Sequence, residues 1–294
     1  MVVPNDREQM KGEVMDLRIS QLYRYPVKSM GAVTLEQAKI DRFGIEKDRR
    51  WMLVDSNGKF LTQRRIAQMI LLGITEFQFA GGDWGLTIQT SQNLKLPEQC
   101  EQELSLSVNK HFALNGSISV ELWDDVCEGK VADDFINQWL SLVLDIPCRL
   151  VFMEGAYYRG VDKEYAQNNE TVSFADGFPL LLTTESSLAA FNQYLDVPIG
   201  MLRFRPNIVI SGNQAFAEDG WKRLRVGGIE FCVVKPCSRC VIPTINPLSA
   251  EKEPAVFKAL KQHRSIGREV YFGQNLLAMN TGIISVGDRV EIIE

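Results

Sequence analysis

Cys237-Ser-Arg-Cys240 is the only close cysteine pair in the chain, and several kinds of chemistry compete for it. A structural zinc site needs four ligands, yet the sequence adds only His111 and His263, neither at ligand spacing, which argues against zinc. A thioredoxin-like dithiol opens a helix whose dipole favours the thiolate. Here Val241-Ile-Pro-Thr-Ile follows, β-branched and broken by proline, and reads as extended chain. Spacing alone leaves open a packed pair of small side chains beside a proline turn, and a single thiolate ligand for a soft metal. Lys235 and Arg239 flank the pair and favour a thiolate if their side chains turn toward it.

A second constellation is basic and dispersed. It comprises Lys28 and Ser29 after Tyr25-Pro-Val, Arg49 and Arg50 before Trp51, Arg64 and Arg65 after Gln63, and Arg203 and Arg205 before Pro206-Asn207. The chain carries a net charge of -5, so arginines set among apolar residues and prolines are poor candidates for mere solubility. Singly, each is explained by a surface ion pair. Gathered together they would make an anion pocket, because Lys and Arg hold phosphate through charge-assisted hydrogen bonds and the Ser29 hydroxyl adds a donor. Asp176, Glu185, His111 and His263 read as structural, not as general acids.

The elements that must position these residues are mostly short strands, expected at Leu17 to Tyr23, Thr34 to Asp41, Leu86 to Thr90 and Ser117 to Leu122. Ser56-Asn57-Gly58 predicts a tight hairpin between Trp51–Val54 and a second strand at Lys59 to Leu61. Val131, Phe135, Trp139, Leu140 and Leu142 recur at helical spacing, which predicts a helix over Lys130 to Leu144, closed by Asp145-Ile-Pro. A domain boundary is placed there. Further on, helices are expected at Thr184 to Tyr194, with Thr184 as N-cap, and at Pro254 to Gln262. Strands are expected at Asn207 to Ser211, Arg223 to Val226, Gly228 to Val234 and Arg289 to Ile293.

With 294 residues, 45% hydrophobic and 23% charged, the chain is an ordered globular protein long enough for two domains, although one large β-rich domain is compatible with the length. The acidic balance disfavours nucleic acid as a partner, and no apolar run approaches a membrane span. The polar opening MVVPNDREQMKGEVM is no signal peptide, which makes the cytoplasm the default compartment. The six cysteines are too scattered for a disulfide framework. Cys148 and Cys232 read as core residues, and Cys100 and Cys127 carry no functional signal.

Taken in order, these motifs resemble a known family. YPVKSMG (25–31) with FGIEKDRRWMLVDSNGKFLTQR (43–64) is similar to the N-terminal β-barrel domain that precedes MOSC domains, which are named for the C-terminal part of molybdenum cofactor sulfurase. FADGFPLLLTTESSL (174–188), FRPNIVISG (204–212), KPCSRCVIPTI (235–245) and YFGQN (271–275), followed by GIISVGDRV (282–290), resemble the MOSC domain itself. The resemblance implies a mainly β fold with a few helices (α+β) in two packed β-barrel-like domains. Residues 1–16 would be a flexible extension, 17–145 the MOSC N-terminal barrel and 146–294 the MOSC barrel.

Within that family the chain resembles the mitochondrial amidoxime-reducing component and its bacterial relatives, which reduce N-hydroxylated bases and amidoximes at a pterin-bound molybdenum. The resemblance implies a molybdenum–molybdopterin cofactor with Cys240 as catalytic metal ligand and Cys237 as the rival for that place. It implies Lys28, Ser29, Arg49, Arg205 and Asn207 as holders of the pterin and its phosphate, with Arg64 and Ser238 as further contacts. Gly273 and Gln274 are expected at the cofactor cleft. Some relatives carry a fused ferredoxin, but this sequence has no Cys-x4-Cys-x2-Cys run, so no Fe-S cluster is expected in the chain. Electrons for a small N-hydroxylated substrate would then come from a separate protein of ferredoxin or flavin type. A non-catalytic cofactor carrier and a sulfur carrier through a Cys240 persulfide are the alternatives.

Overall fold

The computed structural model describes residues 16–78, 84–98, 100–101, 103–108, 116–166 and 169–294. The extension expected over 1–16 lies outside the described residues except for Asp16, as does His111. The chain is mainly β with three helices among the described residues, arranged as curled sheets. No described helix is long and apolar enough to cross a membrane.

The largest sheet has nine strands. Its spatial order runs Val290–Ile292, Arg223–Val226, Ile229–Ser238, Glu269–Ala278, Leu180–Thr184, Ile208–Ser211, Arg18–Arg24 and Val33–Leu35, with Ser265–Ile266 added beside Glu269–Ala278. All its pairings are antiparallel except that of Leu180–Thr184 with Ile208–Ser211. A four-stranded sheet joins Trp51–Val54, Arg149–Phe152, Asp125–Val131 and Ser117–Leu122. The sheets are not divided by a single cut near residue 145: Arg18–Arg24 pairs with Ile208–Ser211, and Arg149–Phe152 pairs with Trp51–Val54.

Several elements differ from their sequence-based limits. Thr34 to Asp41 is two strands, Val33–Leu35 and Gln37–Asp41, split at Glu36. Beyond the Asn57-Gly58 turn the chain makes only single bridges, Val54 with Phe60 and Lys59 with Glu121, in place of a full second strand. The first helix is Asp134–Leu144. Lys130 and Val131 instead end a strand, where they pair with Phe152 and Val151. Asp133 caps that helix by accepting from Phe135 N at 2.7 Å, and Asp145, in the left-handed region at φ 52°, closes it. Thr184 caps Glu185–Asn192 as expected, its hydroxyl accepting from Ser187 N. The third helix is Pro254–His263.

The strand Ile229–Ser238 matters most for function. It runs past Val234 through Pro236 to Ser238, and its register against Glu269–Ala278 shifts on both sides of the proline. Such irregularities let a strand tolerate proline and re-aim its side chains. They deliver Lys235 to Ser238 to one end of the sheet, and Cys240 follows just before the turn Ile242–Thr244. Separate apolar clusters support the two sides of this end. Val27, Trp51 and Leu53 pack with Trp139 and Leu140 of the first helix, while Tyr25, Phe204 and Phe272 pack with Phe191 and Leu260 of the other two.

Candidate functional site

A cavity of about 290 Å³ opens where these elements meet, and it is lined by the eight residues that the resemblance implies for cofactor and metal: Lys28, Ser29, Arg49, Arg64, Arg205, Asn207, Ser238 and Cys240; Arg50, Arg65 and Arg203 of the basic constellation do not line it. Long sequence separations are closed by the pairing of Arg18–Arg24 with Ile208–Ser211, residues nearly 200 apart, and by the strand that leads to the cysteines. Ser29, Arg49 and Arg205 all have positive φ, at 70°, 48° and 56°. Non-glycine residues pay a conformational cost there, and such strain clusters at functional sites.

The cations of the cavity are fixed by specific partners. Lys28, 5% exposed, donates from Nζ to Phe174 O at 2.8 Å and to Asp176 Oδ1 at 2.5 Å. Burial pulls its pKa down to about 8, against the opposing pull of Asp176. The Arg49 guanidinium pairs with the fully buried Asp48 and also reaches Asn207 Oδ1 and Arg205 O, each at 3.3 Å. Burial works against its charge, but Asp48 prevails and holds its pKa above the ordinary value. Arg205 donates from Nη1 to Met30 O at 2.8 Å, whereas its Nη2 is buried without a partner. Gln63 Nε2, on the same wall, is likewise unpaired.

Arg64 lies beside the thiol. Its Nε donates to Cys240 Sγ at 3.2 Å and its Nη2 to Asp176 Oδ2 at 2.8 Å. Ile242 N adds a longer contact to the same sulfur at 3.5 Å. Cys237 is held separately, by Arg239 Nη1 at 3.0 Å. Asp176 therefore bridges Lys28 and Arg64. Burial in the cavity would raise its pKa, but the two cations outweigh it and hold the carboxyl below the usual range, even with the side chain 53% exposed.

Asn207 and Ser238 sit differently from the rest. Asn207 Oδ1 accepts from Arg49 and from Leu181 N, and its Nδ2 donates to Tyr23 O, so its amide anchors the wall. The Ser238 hydroxyl is engaged by Glu269. Gly273 and Gln274 do not line the cavity; Gln274 is turned to Asp219 at 2.8 Å, and the neighbouring Asn275 lines it instead. Sequence reasoning set Asp176 aside as structural and gave no site role to Gln63 or Asn275. Lys235 and Arg239, which flank the cysteines in sequence, both line the cavity as well. The signal for Asp176 was its place in FADGFP, an acid inside a motif whose partners are basic. Cys148 and Cys232 are buried in the core, where burial pushes both thiols up.

Family models match both parts of the chain, the MOSC N-terminal beta barrel domain over residues 16–147 and the MOSC domain over residues 169–291. The chain belongs to the MOSC family. Among curated relatives, this MOSC protein is 32% identical to mitochondrial amidoxime-reducing component 1 of Xenopus laevis, a match covering 95% of the chain and 84% of the relative. It is 29% identical to the Homo sapiens protein of the same name, covering 94% of the chain and 82% of the relative. Molybdenum cofactor sulfurase of Oryza sativa subsp. japonica is 28% identical over 88% of the chain, but the match spans only 32% of that longer protein.

Proposed function

We propose that this MOSC protein is a molybdenum-cofactor-dependent reductase of N-hydroxylated compounds such as amidoximes and N-hydroxylated bases, with electrons supplied by a separate redox protein. The observation that carries the reading is one cavity holding both a thiol gripped by an arginine, Cys240 with Arg64, and a set of buried cations with unpaired donors. The relatives named as amidoxime-reducing components support the choice of reaction.

The residues present fit such a group. Buried polar atoms are almost always paired, so Arg205 Nη2 and Gln63 Nε2 call for an acceptor, and a phosphate supplies several. Lys28, Ser29, Arg49 and Arg205 would hold the phosphate and pterin, with Asn207 fixing Arg49. Cys240 would ligate the metal, since thiolates suit soft metals. When bound, the cofactor supplies two-electron oxygen-transfer chemistry, and the protein supplies binding, orientation and electrostatics. Arg64 orients the Cys240 sulfur and would balance the charge of a ligating thiolate, and Asp176 orients Arg64. Lys28, protonated below about pH 8, adds a positive charge to the anion side.

The test is protein made in a pterin-competent host, assayed for molybdenum content and for reduction of benzamidoxime by an artificial electron donor. Wild type should contain molybdenum and turn over. Cys240→Ala should lose reduction with its fold intact, and Cys237→Ala should keep most of it. Turnover by cofactor-loaded Cys240→Ala would refute the ligand assignment. Similarity to the rice sulfurase favours a second reading, cofactor or sulfur carriage through the same cysteine. Molybdenum without turnover would establish the cofactor carrier, and labile sulfur without metal the sulfur carrier.

A further inference from the structure

Two like charges meet at the back of the cavity on a single aromatic ring. The Arg49 guanidinium carbon lies 4.5 Å from the Tyr25 ring centroid, and that of Arg205 lies 4.2 Å from it. Tyr25 is 1% exposed and does not itself line the cavity, whereas both arginines do. Its backbone is tied to the same segment, with Tyr25 N donating to Asp48 Oδ1 and Tyr25 O accepting from Arg49 N, each at 2.8 Å.

Placing two guanidiniums against one ring in a buried wall needs compensation, because Arg49 opposes the charge of Arg205. Asp48 compensates Arg49 through a direct ion pair. The Arg205 guanidinium has no carboxylate partner among the described residues; it donates to a carbonyl, Met30 O, and lies over the Tyr25 ring. An aromatic face attracts a cation most where water is excluded. The Tyr25 hydroxyl is buried without a partner, so the ring, and not the hydroxyl, is what the site uses.

We propose that Tyr25 is a positioning residue of the anion site, its ring serving as the shared platform against which the Arg49 and Arg205 guanidiniums are held. This rests on the reading of the cavity as an anion site. The ring acts through the two arginines and touches no ligand. Both arginines stand at strained positive φ, so a platform that fixes their side chains completes a wall set in advance for an oxyanion.

The test separates ring electronics from ring shape. The full-length chain would carry Tyr25→Phe, and then di-, tri- and pentafluorophenylalanine at the same position, which keep the shape and progressively weaken the negative ring face. Inorganic phosphate binding would be read by titration calorimetry. Tyr25→Phe should bind as wild type does, and affinity should then fall stepwise by about tenfold or more across the fluorinated series. In an Arg205→Met background the slope of the series should shrink, because the two positions are coupled. A packing role alone leaves the series flat, so a flat series in a protein that binds phosphate overturns the platform while leaving the anion site standing. Absence of phosphate binding by wild type overturns the anion site and the platform with it. If the pentafluoro protein fails to fold, the di- and trifluoro members still define the slope.

Discussion

Arg64 Nε donates to Cys240 Sγ at 3.2 Å, and the same guanidinium reaches Asp176 at 2.8 Å through Nη2. One planar fork thus couples the turn at residues 63–65, the loop after Phe174 and the cysteine just beyond the long strand. Lysine carries the charge but cannot reproduce two bonds in fixed directions.

Arg64→Lys is therefore expected to fold normally and to lose bound cofactor and reduction by about tenfold or more, with each bond to a charged group contributing roughly 1.5–3 kcal/mol. Molybdenum per chain and benzamidoxime turnover measure it. Wild-type values for both would sink the idea.

Burial sets Lys28 near pH 8, so the free cavity holds its charge below that point and loses it above. Above phosphate's own second ionisation, its affinity should decline as pH rises through about 8 to 9.5, and Lys28→Met should abolish that decline. The effect on stability has the opposite sign. Between about 8 and the ordinary 10.5 the unfolded chain binds the proton that the folded chain releases, so this group's contribution to stability rises with pH in that window. Calorimetric titration and urea unfolding across the range test both limbs.

Asp176→Asn removes the negative charge between Lys28 and Arg64 and leaves the buried ammonium with neutral acceptors and no ion partner. Breaking one side of a buried pair is costly, but the Asp176 side chain is 53% exposed, which discounts the loss to about 1–3 kcal/mol. Urea unfolding should show this loss, and adding Lys28→Met should recover part of it. No recovery would mean that the carboxylate stabilises the loop by another route.

Gly273→Ala should destabilise by about 2 kcal/mol or more, since a left-handed backbone and a backbone clash act together. Gly273 has φ 79°, and a Cβ there would lie 2.6 Å from Leu182 O. The strand it distorts is the one that holds Lys235 to Ser238 in place, so phosphate binding should weaken as well. Wild-type melting would contradict this.

Local pattern carried much of the fold. Alternation marked Ser117–Leu122 and Arg223–Val226 to the residue, and Thr184 announced its cap. Val131 misled because its side chain is buried whether the chain there is helix or strand, so helical spacing ran on into a strand end. Pro236 misled because a proline ordinarily ends a central strand, while here two register shifts absorb it. The cavity's residue types were legible in the basic motifs and in Cys240, but their meeting was not, since it depends on pairings between distant strands. Asp176 shows the gap most plainly. An acid has no visible site role until Lys28 and Arg64 are seen opposite it.

The strand Arg18–Arg24 lies between Ile208–Ser211 and Val33–Leu35, Arg18 bridges Arg289, and Leu17 O accepts from Val290 N at 2.8 Å. During synthesis, then, the segment that leads into Lys28 must wait for residue 208 to find its neighbour and for residue 290 to close the bridge. Such long-range closure is slow and leaves strand edges exposed in the meantime. A ribosome stalled after the cysteine motif would hold every residue named for the cavity up to Cys240 with the large sheet still unfinished, so the anion site should be among the last features to mature.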